Sequence, residues 1–125
     1  MDDRLRKEAG VAAEDAALAH LRTAGLKLVV RNYACRGGEL DLVMLDGSTL
    51  ALIEVRYRSS DDFGGAAASI TWAKQRRIVL AARHLLMMRG DLRRHRARFD
   101  VVAVTGGDWR APQIEWIKAA FVLSR

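Results

Sequence analysis

Gly37-Gly38-Glu39-Leu40-Asp41-Leu42-Val43-Met44-Leu45, then Asp46-Gly47, then Ser48-Thr49-Leu50-Ala51-Leu52-Ile53-Glu54-Val55-Arg56-Tyr57 is the stretch on which the fold turns. Asp-Gly between two apolar-rich runs is a hairpin signal, because both residues tolerate positive φ. Side chains alternate faces along a strand, so Glu39 and Asp41 share one face, and so do Glu54 and Arg56. A two-residue turn at Asp46-Gly47 pairs Leu45 with Ser48 and sets Glu39 opposite Glu54. A four-residue turn sets Asp41 opposite Glu54 instead. In both registers the four side chains emerge on one side of the sheet, and only an odd-length loop separates them.

Outward from the hairpin, residues 3 to 24 read as a helix, alanine-rich and closed by Gly25. Lys27 to Asn32 is a short apolar strand. Ser59 to Gly65 is a polar, glycine-containing loop, and helical spacing returns from Ser69 to Arg89 with Trp72, Ile78 or Val79, Ala82 and Leu85 or Leu86 as its apolar stripe. Trp72 reads as core and Met87-Met88 as helix packing. Arg93 to Arg96 reads as a polar loop, Phe99 to Thr105 as a buried strand, and Gln113 to Ile117 as an edge strand after Pro112. Lys118 to Ser124 fits a short helix or coil. The expectation is one α/β domain over residues 1–125, with a mixed sheet of four to five strands flanked by helices.

Three carboxylates gathered on one face of a hairpin repel one another, since paired strand residues lie only about 4.5–5.5 Å apart at Cβ. A hard divalent cation compensates such a cluster, and Mg²⁺ is satisfied by one or two carboxylates plus water and phosphate. Glu54 is the sharpest case, because Leu50, Leu52, Ile53 and Val55 surround it with buried-strand residues, and a buried carboxylate must be paired, coordinated or protonated. A structural Glu54–Arg56 pair accounts for it equally well from periodicity alone. Glu14 interrupts a helical stripe of Val11, Leu18 and Leu21, although a glutamate at the margin of that stripe is the simpler reading.

The chain carries 21 Lys and Arg against 15 Asp and Glu, a formal charge of +6 in 125 residues, which suits phosphate-bearing partners as well as mere solubility. One cysteine allows no intrachain disulfide and no thiolate zinc cluster. No apolar run approaches the ~20 residues of a membrane span, so a cytoplasmic protein without a membrane partner is expected. The three histidines lack metal-site spacing, and Ser59-Ser60 and Gly64-Gly65 read as turn residues.

Four segments taken together resemble a family: Arg36 to Val43, Ile53-Glu-Val-Arg-Tyr-Arg58, Lys74-Gln-Arg-Arg-Ile78 and Arg98-Phe-Asp-Val-Val-Ala-Val104 look like the bacterial YraN-like proteins. The resemblance spans nearly the whole chain. That family is similar to archaeal Holliday-junction resolvases within the restriction-endonuclease-like PD-(D/E)xK superfamily. The resemblance implies a restriction-endonuclease-like sheet and Mg²⁺ or Mn²⁺ bound by Asp41 and Glu54. Glu14 matches the first-helix glutamate, and Glu39 stands beside the aspartate. It also implies nucleic acid, DNA foremost, as partner, and a homodimer as in the related resolvases. The superfamily lysine is replaced here by Arg56, and Ala13 stands where the family usually has glycine.

The expected function is therefore metal-dependent endonuclease action on branched or structured DNA, with Asp41, Glu54, Glu14 and Arg56 as catalytic residues and Asp41, Glu54, Glu14 and Glu39 as metal ligands. Arginine keeps the charge of lysine but does not lose its proton near neutral pH. Lys74 substitutes for it if the second helix packs against the site face. Failing that, a non-catalytic nucleic-acid-binding module on the same scaffold is the alternative. Arg36, Lys74, Arg76, Arg77, Arg93, Arg94 and Arg96 are the expected phosphate contacts. Gly37-Gly38 would let the backbone approach a phosphate, or would simply meet the dihedral needs of a turn.

Overall fold

A computed structural model describes residues 3–58, 70–106 and 110–121. The chain runs as helix α1 (Asp3–Thr23), strands β1 (Lys27–Cys35), β2 (Gly38–Asp46) and β3 (Thr49–Arg58), helix α2 (Trp72–Met88), a 3₁₀ turn at Gly90–Arg94, and strands β4 (Arg96–Thr105) and β5 (Gln113–Phe121). The five strands form one sheet in sequence order. All neighbours are antiparallel except β3 and β4, which run parallel. The expected α/β architecture of a mixed sheet flanked by helices is what forms. The expected loop at Ser59 to Gly65, with both of its turn pairs, lies outside the described residues.

The hairpin pairs Asp46 with Thr49 and continues to Leu42 with Ile53. Its two turn residues are Gly47 and Ser48, one position later than Asp46-Gly47, and Gly47 takes φ 61°. One more step in that register brings Asp41 opposite Glu54, the alternative that the sequence tied to a longer turn.

Alternation divides the core between the two faces. Val43, Leu50, Leu52, Phe99, Val101 and Ala103 pack beneath Ile78, Ala81, Ala82 and Leu85 of α2. Leu42, Met44, Ala51, Ile53, Val102 and Val104 pack against Ala13, Ala17, Leu18 and Leu21 of α1. Three side chains expected inside α2's contact face lie outside it. Trp72 is 65% exposed and carries the Arg76 guanidinium 5.0 Å above its ring, while Met87 and Met88 are also exposed. The buried stripe of α2 runs through Ile78, Ala81, Ala82 and Leu85, and these three point away from it. On α1 the stripe passes through Ala13 and Ala17, leaving Val11 exposed. The segment left between helix and coil, Lys118 onward, continues β5 as far as Phe121, with Ala119 at φ 51°.

α2 sits close on β2. A Cβ built on Gly38 would fall 1.9 Å from the Arg77 carbonyl oxygen, so only glycine fits there. Gly37, at φ +101°, turns the chain into β2. Gly38 thus makes its close approach to the helix, and Gly37 meets the dihedral need of a turn.

Candidate functional site

The β2–β3 ladder stops at Leu42–Ile53, and a side chain takes over its next hydrogen bond. Val55 N–H donates to Asp41 Oδ2 at 2.9 Å. Across from this point β1 is interrupted too, since Asn32 has φ 55° between the paired residues Arg31 and Tyr33. Asparagine is among the few residues that visit this region at low cost. The local irregularity on both sides of β2 is what turns Asp41 out of regular pairing.

Glu54, only 6% exposed, lies on the same face as Leu50 and Leu52, beneath α2. Lys74 reaches it from the first turn of that helix, with Nζ 2.7 Å from Glu54 Oε1. Thr71 caps the turn, its Oγ1 accepting from Lys74 N–H at 3.1 Å. Asp41, Glu54 and Lys74 line a cavity of about 590 Å³ together with Glu39, Arg77, Cys35, Gly37, Gly38 and Ile78.

The electrostatics of the cavity are acidic and incompletely compensated. Burial pushes the Asp41 carboxyl up from its ordinary 3.8 to about 7, and the charge of Glu54 with a side-chain hydrogen bond to it adds to the shift. The Val55 N–H and the Lys74 ammonium act in the opposite direction and do not cancel it. Two carboxylates, one of them holding a proton part of the time at neutral pH, are a donor set that a small divalent ion fits, with water and phosphate supplying the remaining positions.

The structure gathers some of the expected residues and separates others. Asp41, Glu54 and Glu39 share the cavity, and Lys74 and Arg77 join them. Glu14 belongs to α1, whose contacts are on the other sheet face, and its Oε1 accepts from Arg31 Nε at 3.1 Å beside the Arg31–Asp15 pair. Among the described residues no three His, Cys, Asp or Glu side chains converge on one point. Arg56 follows Glu54 on β3 but does not line the cavity.

The expected phosphate contacts fall into two groups. Lys74 and Arg77 line the cavity and Arg36 stands at the turn into β2, while Arg76 extends over the exposed Trp72 ring. Arg93, Arg94 and Arg96 cluster where β4 begins, level with Thr49. That position is five residues before Glu54, or about 17 Å at a strand's ~3.3 Å per residue. Arg93 there is engaged with the end of α2, donating to the Leu86 and Met87 carbonyls at 2.8 and 3.2 Å.

A second acidic centre went unread in the sequence. Asp100 on β4 is fully buried, accepting from Arg98 Nε and Nη2, Trp116 Nε1 and Ala119 N–H at 2.8 to 3.0 Å. Arg98 also donates to Asp46 at 3.0 Å, and Lys118 Nζ lies 3.8 Å from the same carboxylate. The signal was an aspartate inside the run Phe99 to Thr105 with an arginine two residues before it, on the same strand face.

No helix among the described residues is long and apolar enough to cross a membrane. Residues 13–104 match the family described as Uncharacterised protein family UPF0102. A UPF0102 protein of Cupriavidus taiwanensis is 57% identical over 118 residues, covering 93% of this chain and 84% of its own. One from Pseudomonas entomophila is 49% identical over 121 residues, covering 97% and 98%. Another, from Dechloromonas aromatica, is 52% identical over 112 residues, covering 90% and 87%. With the family match running from the buried stripe of α1 to the end of β4, and these relatives aligned along nearly their whole length, the chain belongs to protein family UPF0102.

Proposed function

We propose that this protein is a metal-dependent phosphodiesterase acting on branched or structured DNA, built on the scaffold of the PD-(D/E)xK nucleases. The observation that carries the reading is the meeting of Asp41 and Glu54 in one cavity with Lys74 2.7 Å from Glu54. Asp41 and Glu54 would hold Mg²⁺ or Mn²⁺, with Glu39 at the rim. The ion, when bound, supplies charge stabilisation to a scissile phosphate and acidifies water. The chain's own groups do the rest. The Val55 N–H fixes one oxygen of Asp41, leaving the other for a ligand. Arg77 in the wall and Arg36 at the adjoining turn draw a phosphate backbone toward the carboxylates.

Incubation of a four-way DNA junction with the protein and Mn²⁺ tests the reading. Cleavage by the wild type is expected, and Asp41→Asn should lose both cleavage and the calorimetric signal of Mn²⁺ binding while its circular dichroism is unchanged. Unaltered Mn²⁺ affinity in Asp41→Asn overturns the assignment. A second reading, binding of nucleic acid without cleavage, is favoured by arginine at position 56 lying outside the cavity. Salt-sensitive binding of the same junction without product would select it.

A further inference from the structure

The ion pair inside the cavity has a consequence for how the proposed site would fill. Lys74 Nζ sits 2.7 Å from Glu54 Oε1, so the ammonium is in contact with the more deeply buried of the two carboxylates. Its backbone is fixed. Thr71 caps its N–H, and the Gly38 notch holds α2 against β2 one turn further on, at Arg77. Its side chain is not so confined, being 37% exposed where that of Glu54 is 6%. A lysine on a fixed anchor, with a flexible stem and an open side, can exchange one anionic partner for another without moving the helix.

An ammonium and a divalent ion cannot both lie against the same carboxylate oxygen, because their charges repel and each needs the oxygen's lone pairs. Arg56, two residues further along β3, does not line the cavity. We propose that Lys74 is a place-holding cation. It neutralises Glu54 while the site lacks a divalent ion, yields Glu54 when the ion enters, and is transferred to a phosphate of the bound nucleic acid. This rests on the metal-dependent reading above and adds to it a coupling between the two ligands. Metal and nucleic acid then bind cooperatively, because a phosphate gives the displaced ammonium a new partner and so assists the ion's entry.

The test uses the intact protein, with binding as its readout. Mn²⁺ affinity is measured by calorimetry at about pH 8, where protons compete little for carboxylates. Affinity for a four-way junction is measured by fluorescence anisotropy with and without Ca²⁺. In Lys74→Met the free protein should bind Mn²⁺ on the order of fivefold more tightly or better, and the gain in junction affinity produced by Ca²⁺ should shrink by a similar factor. Lys74→Arg should retain most of the wild-type coupling. Lys74→Gln serves the same purpose if the methionine variant fails to fold. Equal Mn²⁺ affinity in wild type and Lys74→Met, or an undiminished Ca²⁺ effect, overturns the place-holder. Absence of Mn²⁺ binding in every variant overturns the metal-dependent reading and the place-holder with it.

Discussion

The sheet carries two buried acidic centres, one toward each face, and they are built on opposite principles. Asp100 meets four N–H donors at 2.8 to 3.0 Å, and its partner Arg98 is itself shared with Asp46. Donors match acceptors there, as a buried charge requires if it is to be merely structural. At the other centre Asp41 and Glu54 stand together with a backbone N–H and an ammonium as partners among the described residues, and Asp41 rises to about 7. The first centre closes an interior. The second leaves acceptor capacity over, beside a cavity. Burial alone therefore does not set the two centres apart; the balance of donors and acceptors does.

Three changes would break or sharpen that contrast. The largest effect is expected at the satisfied centre. Asp100→Ala takes the acceptor from a part-buried guanidinium, an indole N–H and the Ala119 N–H, and should cost about 3–5 kcal/mol in urea denaturation. A loss below about 1 kcal/mol would mean that the network contributes little. Gly38→Ala comes next. With its Cβ 1.9 Å from the Arg77 carbonyl, α2 must shift. Overpacking of this kind costs about 1–3 kcal/mol, read as a lower melting temperature.

The most diagnostic effect is the pH dependence of the under-compensated centre. Asp41 has a folded-state value of about 7 against an ordinary 3.8. Between these values the folded protein binds more protons than the unfolded chain. The contribution of this group is thus fully present below about 4 and is lost as pH rises through about 7. Asp41→Asn should flatten that decline in urea-unfolding free energy, and Asp100→Ala should leave it in place. Metal affinity in the wild type should move the opposite way and strengthen across the same interval, because ion and proton compete for the carboxylate.

The sequence made half of the site legible. Alternation along two strands joined by a short turn brings Asp41 and Glu54 to one side without any knowledge of the rest of the fold, and the register of the hairpin settles which pair is opposed. Lys74 could be named only conditionally, since its place depends on how α2 is rotated and seated. That seating rests on Gly38 meeting the Arg77 carbonyl, a contact between residues far apart in the chain. The same ignorance of rotation put Trp72, Met87 and Met88 inside a helix face that turns out to run through Ala81 and Leu85. Asp100 escaped notice because its partners are dispersed. Arg98 is near it in sequence, but Trp116 and Ala119 arrive on β5, and the Ala119 N–H is aimed by a positive φ that no residue preference announces. Glu14 illustrates the reverse. Its pattern position was clear, yet the sequence did not reveal that Arg31 would be its partner.

The parallel pairing of β3 and β4 has a bearing on the order in which the cleft is assembled. Antiparallel neighbours can be joined by a tight turn, whereas parallel ones require the chain to travel back along the sheet, and here α2 makes that journey. The hairpin that presents Asp41 and Glu54 is local and can pair early, while the ammonium rides on the connecting segment and arrives with the slower, long-range closure. During biosynthesis the acidic half of the cleft would exist before its counter-charge, which arrives only as the long-range pairing of β3 with β4 locks.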